Sequence, residues 1–291
     1  NGFPLTNNAT SAATNGAYVV IKPGTHTLKV RYWVNDVVTG VVGTITKILS
    51  SATYDQNKYY NITANLDVKN YDGDHYYMWD AQEQYWKGYE WYNGGSQPTI
   101  SLGFSGATTS NDYAQSNSDP RYESESNGYG MSNPAVHSCK DLPNANEMTW
   151  YAAMGDPRWD ADELWTTLGH LYKSGMWFRK KASISGFNAN IAVDGTDWRT
   201  RMNNNGWSVS NTLPAATNAG NYFYLPALGL YGSGQLFFVG SRGSYWASSG
   251  SPQGIFHAYF LTFSSSSVNV SCFGERPNGY RAQKFSDFGD N

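Results

Sequence analysis

Apolar and polar residues alternate with a period of two along several stretches of this 291-residue chain. In residues 25–34, Leu28, Val30 and Tyr32 alternate with threonine, lysine and arginine, and residues 59–68 repeat the pattern. Gly, Pro, Asn and Asp separate these stretches. Alternation between such turn residues is typical of antiparallel strands with one buried face. The pattern therefore predicts a β-rich protein.

The composition narrows the class of protein further. Charged residues make up 15% of the chain, against about 25% in typical soluble domains, and aromatic residues make up 16%. The net charge is −3 and no basic stripe is present, so nucleic-acid binding is not expected. The apolar runs are far shorter than the ~20 residues that a transmembrane segment needs. Few charges with many hydroxyl, amide and aromatic side chains favour an extracellular protein.

A change of composition near residue 70 predicts two domains. Residues 1–70 are interpreted as an antiparallel β-sandwich-type segment. Four strands are few for a complete sandwich, so the segment would be a fragment of a longer domain or would need a neighbour to complete it. Its strands are predicted at 17–21, 25–34, 37–49 and 59–68. Residues 71–291 form the second predicted domain, which begins with an aromatic, loop-rich stretch at 71–138.

Two helices are predicted in the second domain from capping-box spacings, Asn144 with Glu147 and Asp160 with Glu163. The second helix would carry a core face at i, i+4 and i+7 and would end at Gly175. That face consists of Leu164, Leu168 and Leu171. After residue 220 the alternation returns and predicts a β-meander. Its strands are predicted at 244–248, 257–263, 268–273 and 280–285.

Four motifs between residues 139 and 285 are similar to those of the bacterial major-paralogous-domain family. They are Leu142-Pro143 with Glu147 and Trp150, Tyr245–Ser249, Ala258–Phe263, and Asn278-Gly279-Tyr280-Arg281. Three departures from the family pattern are present: Asn144 in place of a threonine, Met148 in place of a tryptophan, and no Val-Arg-Cys in the last strand. The resemblance implies a C-type-lectin-like fold, and the expected fold class is α+β with two helices and a β-meander.

The front of the chain resembles the final strands of fimbrillin-type pilins, on the strand Lys58-Tyr59-Tyr60-Asn61-Ile62-Thr63. Together the two resemblances imply a protein of the bacterial outer surface, such as a fimbrial or pilus-tip subunit. Its partners would be other pilin or surface subunits that add a strand to the front segment. A glycan or an extracellular-matrix protein would be the ligand.

The aromatic cluster at residues 76–92 is the candidate ligand-binding region. Sugars stack their C–H faces on Trp and Tyr, and neighbouring Asp, Asn and Gln side chains bond to their hydroxyl groups. Large aromatics are mostly buried, so for any one of these residues a place in the core is the stronger expectation. The candidate residues are Trp79, Asp80, Trp86, Trp91, Tyr92 and Asn93.

No catalytic or metal site is predicted, and no cofactor. A Gly-x-Ser-x-Gly elbow is absent, and the five histidines lack a metal-ligand spacing. Asp72 and Asp74, with Asp80, Glu83 and Glu90, could supply glycosidase carboxylates or a calcium site, but turn formation and solvation are favoured for them. Cys139 and Cys272 are expected to form a structural disulfide or to be two buried thiols, rather than a catalytic pair.

The leading hypothesis is a non-enzymatic cell-surface adhesin or pilus-tip subunit that binds a glycan or host protein through its second domain. One alternative is a surface enzyme or accessory module that acts on polysaccharide. The other is a structural envelope protein without a ligand. Paired carboxylates in a cleft would favour the enzyme, and exposed aromatics without such a pair would favour the adhesin.

Overall fold

The structure is a computed structural model that describes residues 5, 15–99, 108–124, 134–252 and 254–290. The chain divides into two compact units. Unit 1 contains the described residues up to Val34 together with Thr44–Asp67, and unit 2 contains Asn35–Gly43 and the described residues from Val68 onward. In the described part of the chain no helix is long and apolar enough to cross a membrane.

Unit 1 is built on a two-stranded sheet formed by β1 (Gly24–Asn35) and β2 (Val42–Tyr54). Half-buried and exposed residues alternate along both strands, as the period-two pattern predicted. Trp33 and Ile48 are nevertheless exposed on this sheet. Tyr54 is the one buried residue among the described residues of this unit, so the unit has little core of its own. A two-stranded ribbon of this kind is marginally stable in water.

The prediction of a β-sandwich-type segment at residues 1–70 is wrong for the described residues. Neither 17–21 nor 59–67 lies in a strand. At the end of the second stretch the Asn65 side chain accepts a hydrogen bond from the backbone N–H of Asp67, whose φ is +53°. A side chain that bonds its own backbone in this way competes with a strand ladder, so alternation alone did not produce a strand.

Unit 2 contains the remaining strands and two further sheets. The strands are β3 (Lys69–Asn70), β4 (Tyr76–Tyr77), β5 (Arg158–Thr167), β6 (His170–Arg179), β7 (Asn204–Ser208), β8 (Tyr222–Pro226), β9 (Leu228–Gly232), β10 (Gln235–Val239), β11 (Gly243–Gly250), β12 (His257–Phe263), β13 (Ser267–Glu275) and β14 (Tyr280–Arg281). The larger sheet has the order β10-β9-β11-β12-β13-β7, with β14 joining β11 to β4. The smaller sheet has the order β3-β5-β6-β8. Antiparallel pairing of β11 with β12 and of β12 with β13 makes the meander.

One α-helix, α1 (Ala145–Met154), is present among the described residues. Asn144 caps it: its side chain accepts the N–H of Glu147, and the Glu147 side chain accepts the N–H of Asn144. The capping box predicted at these residues is therefore confirmed. The helix contacts β11, β12 and β13 of the larger sheet and buries Met148 and Tyr151.

The second predicted helix is wrong, because its residues form the β5–β6 hairpin. Oδ1 of Asp160 does accept the N–H groups of Asp162 and Glu163, at 2.9 and 3.0 Å. However, these bonds close a β-bulge, where the β5–β6 register shifts between Asp160 and Leu164. The hairpin then turns at Leu168-Gly169, both with positive φ, as a type I′ turn requires.

These differences overturn the expected fold class. Unit 2 is a β-rich structure of several sheets with one α-helix in its described part, and not a C-type-lectin-like α+β module with two helices. The predicted loop-rich stretch 71–138 holds β4 and a 3₁₀ helix at Trp91–Asn93, while residues 100–107 and 125–133 lie outside the described residues. Buried apolar side chains, many of them aromatic, form a main core cluster in unit 2 and a second, smaller cluster that contains Trp79 and Trp246.

The hairpin turn provides a test of this fold. Gly169 has a φ of +77°, and a Cβ built there would lie 3.0 Å from the Trp91 ring. We expect Gly169→Ala to lower the free energy of unfolding by about 1–2 kcal/mol, because L-residues are strained in the left-handed region. Gly220→Ala is the control, since nothing lies within 4 Å of a Cβ there, and its change should stay within about 0.5 kcal/mol. Equal effects of the two substitutions in chemical denaturation would contradict the hairpin.

Candidate functional site

A surface pocket of about 210 Å³ opens in unit 2 on the smaller sheet. All four strands of that sheet and the 3₁₀ helix Phe285–Phe288 supply side chains to it. The lining residues are Lys69, Tyr71, Glu163, Leu164, Trp165, Trp177, Tyr222, Phe223, Tyr224 and Phe288. Seven of these ten residues are aromatic. We call this cavity the aromatic pocket.

Strand register brings the aromatic side chains of the pocket together. Trp177 on β6 pairs with Tyr224 on β8, and their ring centroids are 5.0 Å apart. On β5, Trp165 pairs with Lys69 of β3. Gly175 leaves the space that the Tyr224 ring occupies, since a Cβ there would lie 2.5 Å from the Tyr224 hydroxyl. Gly175 therefore shapes the pocket and does not end a helix.

The β-bulge places Glu163 at the pocket. Bulges often re-aim a side chain beside a functional site, and Glu163 lies within the bulge, between Asp160 and Leu164. Partial loss of water around its carboxyl group, and then the nearby charge of Asp160, raise the pKa of Glu163. Both carboxylate oxygens of Asp160 already accept hydrogen bonds within the protein. Oδ1 accepts the two backbone N–H groups of the bulge, and Oδ2 accepts the indole N–H of Trp177 at 3.0 Å.

Two further residues with polar groups, Lys69 and Tyr224, line the aromatic pocket. The ammonium group of Lys69 lies 4.8 Å from the Tyr71 ring centroid and 5.6 Å from that of Phe288. Loss of water lowers the pKa of Lys69, and the charge of Asp287 opposes this shift. The hydroxyl group of Tyr224 is buried and finds no hydrogen-bond partner among the described residues. Such a group can be satisfied by a polar ligand.

A second, smaller pocket of about 80 Å³ shares Lys69, Tyr71 and Phe288 with the aromatic pocket. We call it the arginine pocket. Its other lining residues are Asn70, Asp72, His75, Arg281, Gln283 and Asp287. Since three residues line both cavities, the two pockets adjoin and present aromatic and charged surfaces side by side.

Asp72, Asp74 and His75 lie beside the arginine pocket, and their ligand atoms fall within 4.8 Å of one another. His75 Nδ1 is 2.7 Å from Oδ1 of Asp74. This hydrogen bond, with smaller contributions that include the charge of Arg281, lowers the pKa of Asp74. A buried guanidinium so close to the carboxylates opposes a bound cation. The cluster is therefore not assigned as a metal site.

The structure separates the six sequence-predicted binding residues into two groups. Trp79, Asp80 and Trp86 are fully buried, so a ligand at the surface does not reach them. The ring of Trp86 packs against that of Tyr231 in the core, with the two ring centroids 5.4 Å apart. The indole N–H of Trp79 donates to the carbonyl of Ala247 at 2.9 Å. The expectation that large aromatic residues lie in the core is therefore confirmed for these two tryptophans.

Asp80 organises a loop and does not face a ligand. Its carboxylate accepts the backbone N–H groups of Val136 and His137, both at 2.7 Å, and that of Cys139 at 3.2 Å. Cys139 and Cys272 are both buried and free, which is the second of the two states expected for them. Burial raises the pKa of both thiols, so neither resembles an activated nucleophile.

The other three predicted residues lie at the surface in the 3₁₀ helix Trp91–Asn93. Trp91 is half-buried, Tyr92 is 53% exposed and Asn93 is exposed. Partial burial and the charges of Glu90, Asp74 and Asp72 raise the pKa of Tyr92, so this segment lies near the Asp72–Asp74 turn. None of the three lines either pocket, and their role in binding stays a prediction.

Sequence reasoning missed most of the residues that line the aromatic pocket. The helix predicted from Asp160 hid the strand on which Glu163 and Trp165 share one face. The spacing of Tyr222 and Tyr224 was a usable signal, because residues two apart in a strand point to the same side. Phe288 carried no local signal, because Tyr71, whose ring lies beside it at the pocket, is far away in sequence.

Comparisons with known proteins identify no relative: no family model, no curated protein and no solved structure matches the chain. The fimbrillin-type resemblance stays a prediction from sequence. The two pockets are therefore the features of the structure that bear on function.

The buried and exposed members of the predicted site give a direct test of their placement. Trp86→Ala should lower the free energy of unfolding by about 3–5 kcal/mol, because it empties a packed core site. Tyr92→Ala should change the stability by no more than about 0.5 kcal/mol, because the ring is largely in water. Thermal and chemical denaturation measure both. A stable Trp86→Ala variant would contradict the burial of this residue.

Proposed function

We propose that this chain is a non-enzymatic surface adhesin that holds one sugar residue of a glycan in the aromatic pocket. The observation that carries the proposal is the lining itself: seven aromatic side chains with one carboxylate, one ammonium group and one unpartnered hydroxyl. Aromatic faces stack on the C–H face of a sugar, and the three polar groups can bond to its hydroxyls.

The size of the pocket supports a small, single-ring occupant. Its volume of about 210 Å³ falls below the ~300–1,000 Å³ typical of sites for drug-sized ligands. One pyranose residue at the end or side of a glycan suits such a cavity better than a long chain laid along a cleft. The exposed part of Trp177 is the surface on which the ring would stack.

An enzyme that cleaves polysaccharide is the second candidate, and Glu163 favours it. A carboxyl group with a raised pKa is what a general acid requires. Glycoside hydrolysis uses a second, opposed carboxylate, and Glu163 is the one carboxylate among the residues that line the aromatic pocket. The nearby Asp160 is held by three N–H donors. Binding without cleavage therefore fits this lining better.

The glycan proposal is tested by screening the labelled chain on a glycan array and measuring the affinity of hits by calorimetry. Trp177→Ala should weaken binding about tenfold or more, since loss of the stacking face costs about 1.4 kcal/mol or more. Phe273→Ala is the matched control, because Phe273 is a 50% exposed aromatic outside both pockets.

Three other results of that screen would redirect the proposal. Loss of binding in Tyr92→Ala with Trp177→Ala unaffected would move the site to the sequence-predicted segment. Cleavage of a hit, abolished in Glu163→Gln, would favour the enzyme. A folded chain that binds no glycan would favour a structural role in the envelope or a host-protein ligand.

Unit 1 supports a proposal about assembly. Within the described residues, β1 and β2 have no other strand neighbour, and Trp33 and Ile48 are exposed on them. A strand contributed by another surface subunit would pair with one edge and cover part of this apolar surface. We accordingly place the chain at the bacterial outer surface, as a fimbrial or pilus-tip subunit.

Hydrogen exchange tests this assembly proposal. In the isolated chain the amides of β2 should exchange much faster than those of β12, because a two-stranded ribbon is marginally stable. In chain recovered within assembled surface fibres, β1 or β2 should become protected while β12 stays unchanged. Equal protection of β2 and β12 in the isolated chain would contradict the need for an added strand.

A further inference from the structure

Arg281 is a fully buried charge with an unused donor. Its residue surface is 1% exposed. Nη1 donates to the backbone carbonyl of Asp72 at 2.7 Å, and Nη2 donates to Oε1 of Gln283 at 2.8 Å. The guanidinium also interacts with the Tyr76 hydroxyl group, and this interaction opposes the rise in the pKa of Tyr76 that burial causes. Nε itself has no partner in hydrogen-bond geometry among the described residues, and no carboxylate of these residues forms an ion pair with the guanidinium. Buried charges are ordinarily paired.

The unused donor belongs to a residue that lines the arginine pocket. Lys69 supplies a second positive charge to this pocket and lines the aromatic pocket as well. The volume of about 80 Å³ suits a small group, such as a carboxylate, and not another sugar ring. An anionic group that reaches Arg281 would therefore be attached to whatever occupies the adjoining aromatic pocket.

The rim of the site limits the charge of the ligand. Asp72 and Asp287 line the arginine pocket and are exposed, and Glu163 lines the aromatic pocket. These three carboxylates repel a ligand that carries many negative charges. One negative charge that penetrates to Arg281 and Lys69 is favoured, whereas a densely sulfated chain is not.

We propose that the two pockets together bind an acidic sugar, with its ring in the aromatic pocket and its single carboxylate in the arginine pocket. The carboxylate accepts the Nε–H of Arg281 and faces the Lys69 ammonium group, and the ring stacks on Trp177. This inference rests on the proposed glycan binding and adds the class of sugar. Arg281 and Lys69 are then the residues that select acidic over neutral glycans.

The test uses glycosides of glucuronic, galacturonic and a nonulosonic acid, each beside its methyl ester, which keeps the ring and removes the charge. Calorimetry on the wild-type chain should show at least one acid bound about tenfold or more tightly than its ester, because the ester cannot form the charge-assisted hydrogen bond to the guanidinium. Equal binding of acid and ester would overturn this inference and leave the glycan proposal standing. Failure of every acid, ester and neutral glycan to bind the folded chain would overturn both.

Two variants assign the selectivity to the residues. Lys69→Gln and Arg281→Lys should each bring the acid and its ester to within about threefold of each other. Lys140→Gln is the matched control, because Lys140 is an exposed lysine outside both pockets. Arg281→Lys can also destabilise the chain, so its melting temperature is measured, and exposed Lys69 keeps the test decisive. Unchanged selectivity in folded Lys69→Gln and Arg281→Lys would overturn the assignment.

Discussion

Burial of the Arg281 guanidinium is the constraint on which the organisation of unit 2 around its pockets depends. Arg281 lies in β14, where it pairs with Tyr76 of β4 on one side and with Tyr245 of β11 on the other. Its Nη1 holds the carbonyl of Asp72, and its guanidinium carbon lies 5.1 Å from the Tyr76 ring centroid. The backbone of Arg281 thus joins β4 to β11, and its side chain ties the turn after β3 to the same place. The cost of burying its charge is offset only where all its donors have partners, which gives the free Nε–H its significance.

The smaller sheet contributes the other half of the site through a local irregularity. Asp160 uses its carboxylate to stabilise a bulge and to fix the Trp177 indole. The bulge brings Glu163 to the same cavity as Trp177 and Tyr224. Because the Asp160 carboxylate is held by three N–H donors, it supports the frame of the strand, whereas Glu163 lines the aromatic pocket.

Sequence patterns predicted the secondary structure well where the side-chain hydrogen bonds and the residue preferences favour the same type of element. Asn144 and Glu147 formed the predicted capping box of α1, and the strands predicted at 257–263 and 268–273 are confirmed as β12 and β13. The strand predicted at 280–285 is only Tyr280–Arg281 and pairs in parallel with β11. At Asp160 the same side-chain-to-amide bonds formed inside a strand, because the tryptophans and threonines of β5 suit a sheet and Leu168-Gly169 turns the chain. A capping pattern predicts these hydrogen bonds but not the type of element that contains them, and the second helix was wrongly predicted for that reason.

The candidate site was predictable only in part. The sequence drew attention to the aromatic cluster, but Trp79 and Trp86 are large apolar side chains and lie buried in the core. The carboxylate of Asp80 binds backbone N–H groups of a loop. The segment Trp91–Asn93 lies at the surface, and its role in ligand binding stays a prediction. The two pockets unite residues near 70, 163, 177, 223 and 281–288, which only the pairing of distant strands brings together. No spacing in the sequence records that pairing.

The most direct measurement is the ¹H–¹⁵N NMR signal of the Arg281 Nε–H, assigned by its disappearance in Arg281→Lys. Our account predicts that this signal shifts when an acidic glycoside is added and stays in place when the matching methyl ester is added at a concentration that saturates the site. A glycoside that binds the chain with its carboxylate intact and leaves the signal unmoved would contradict the central claim.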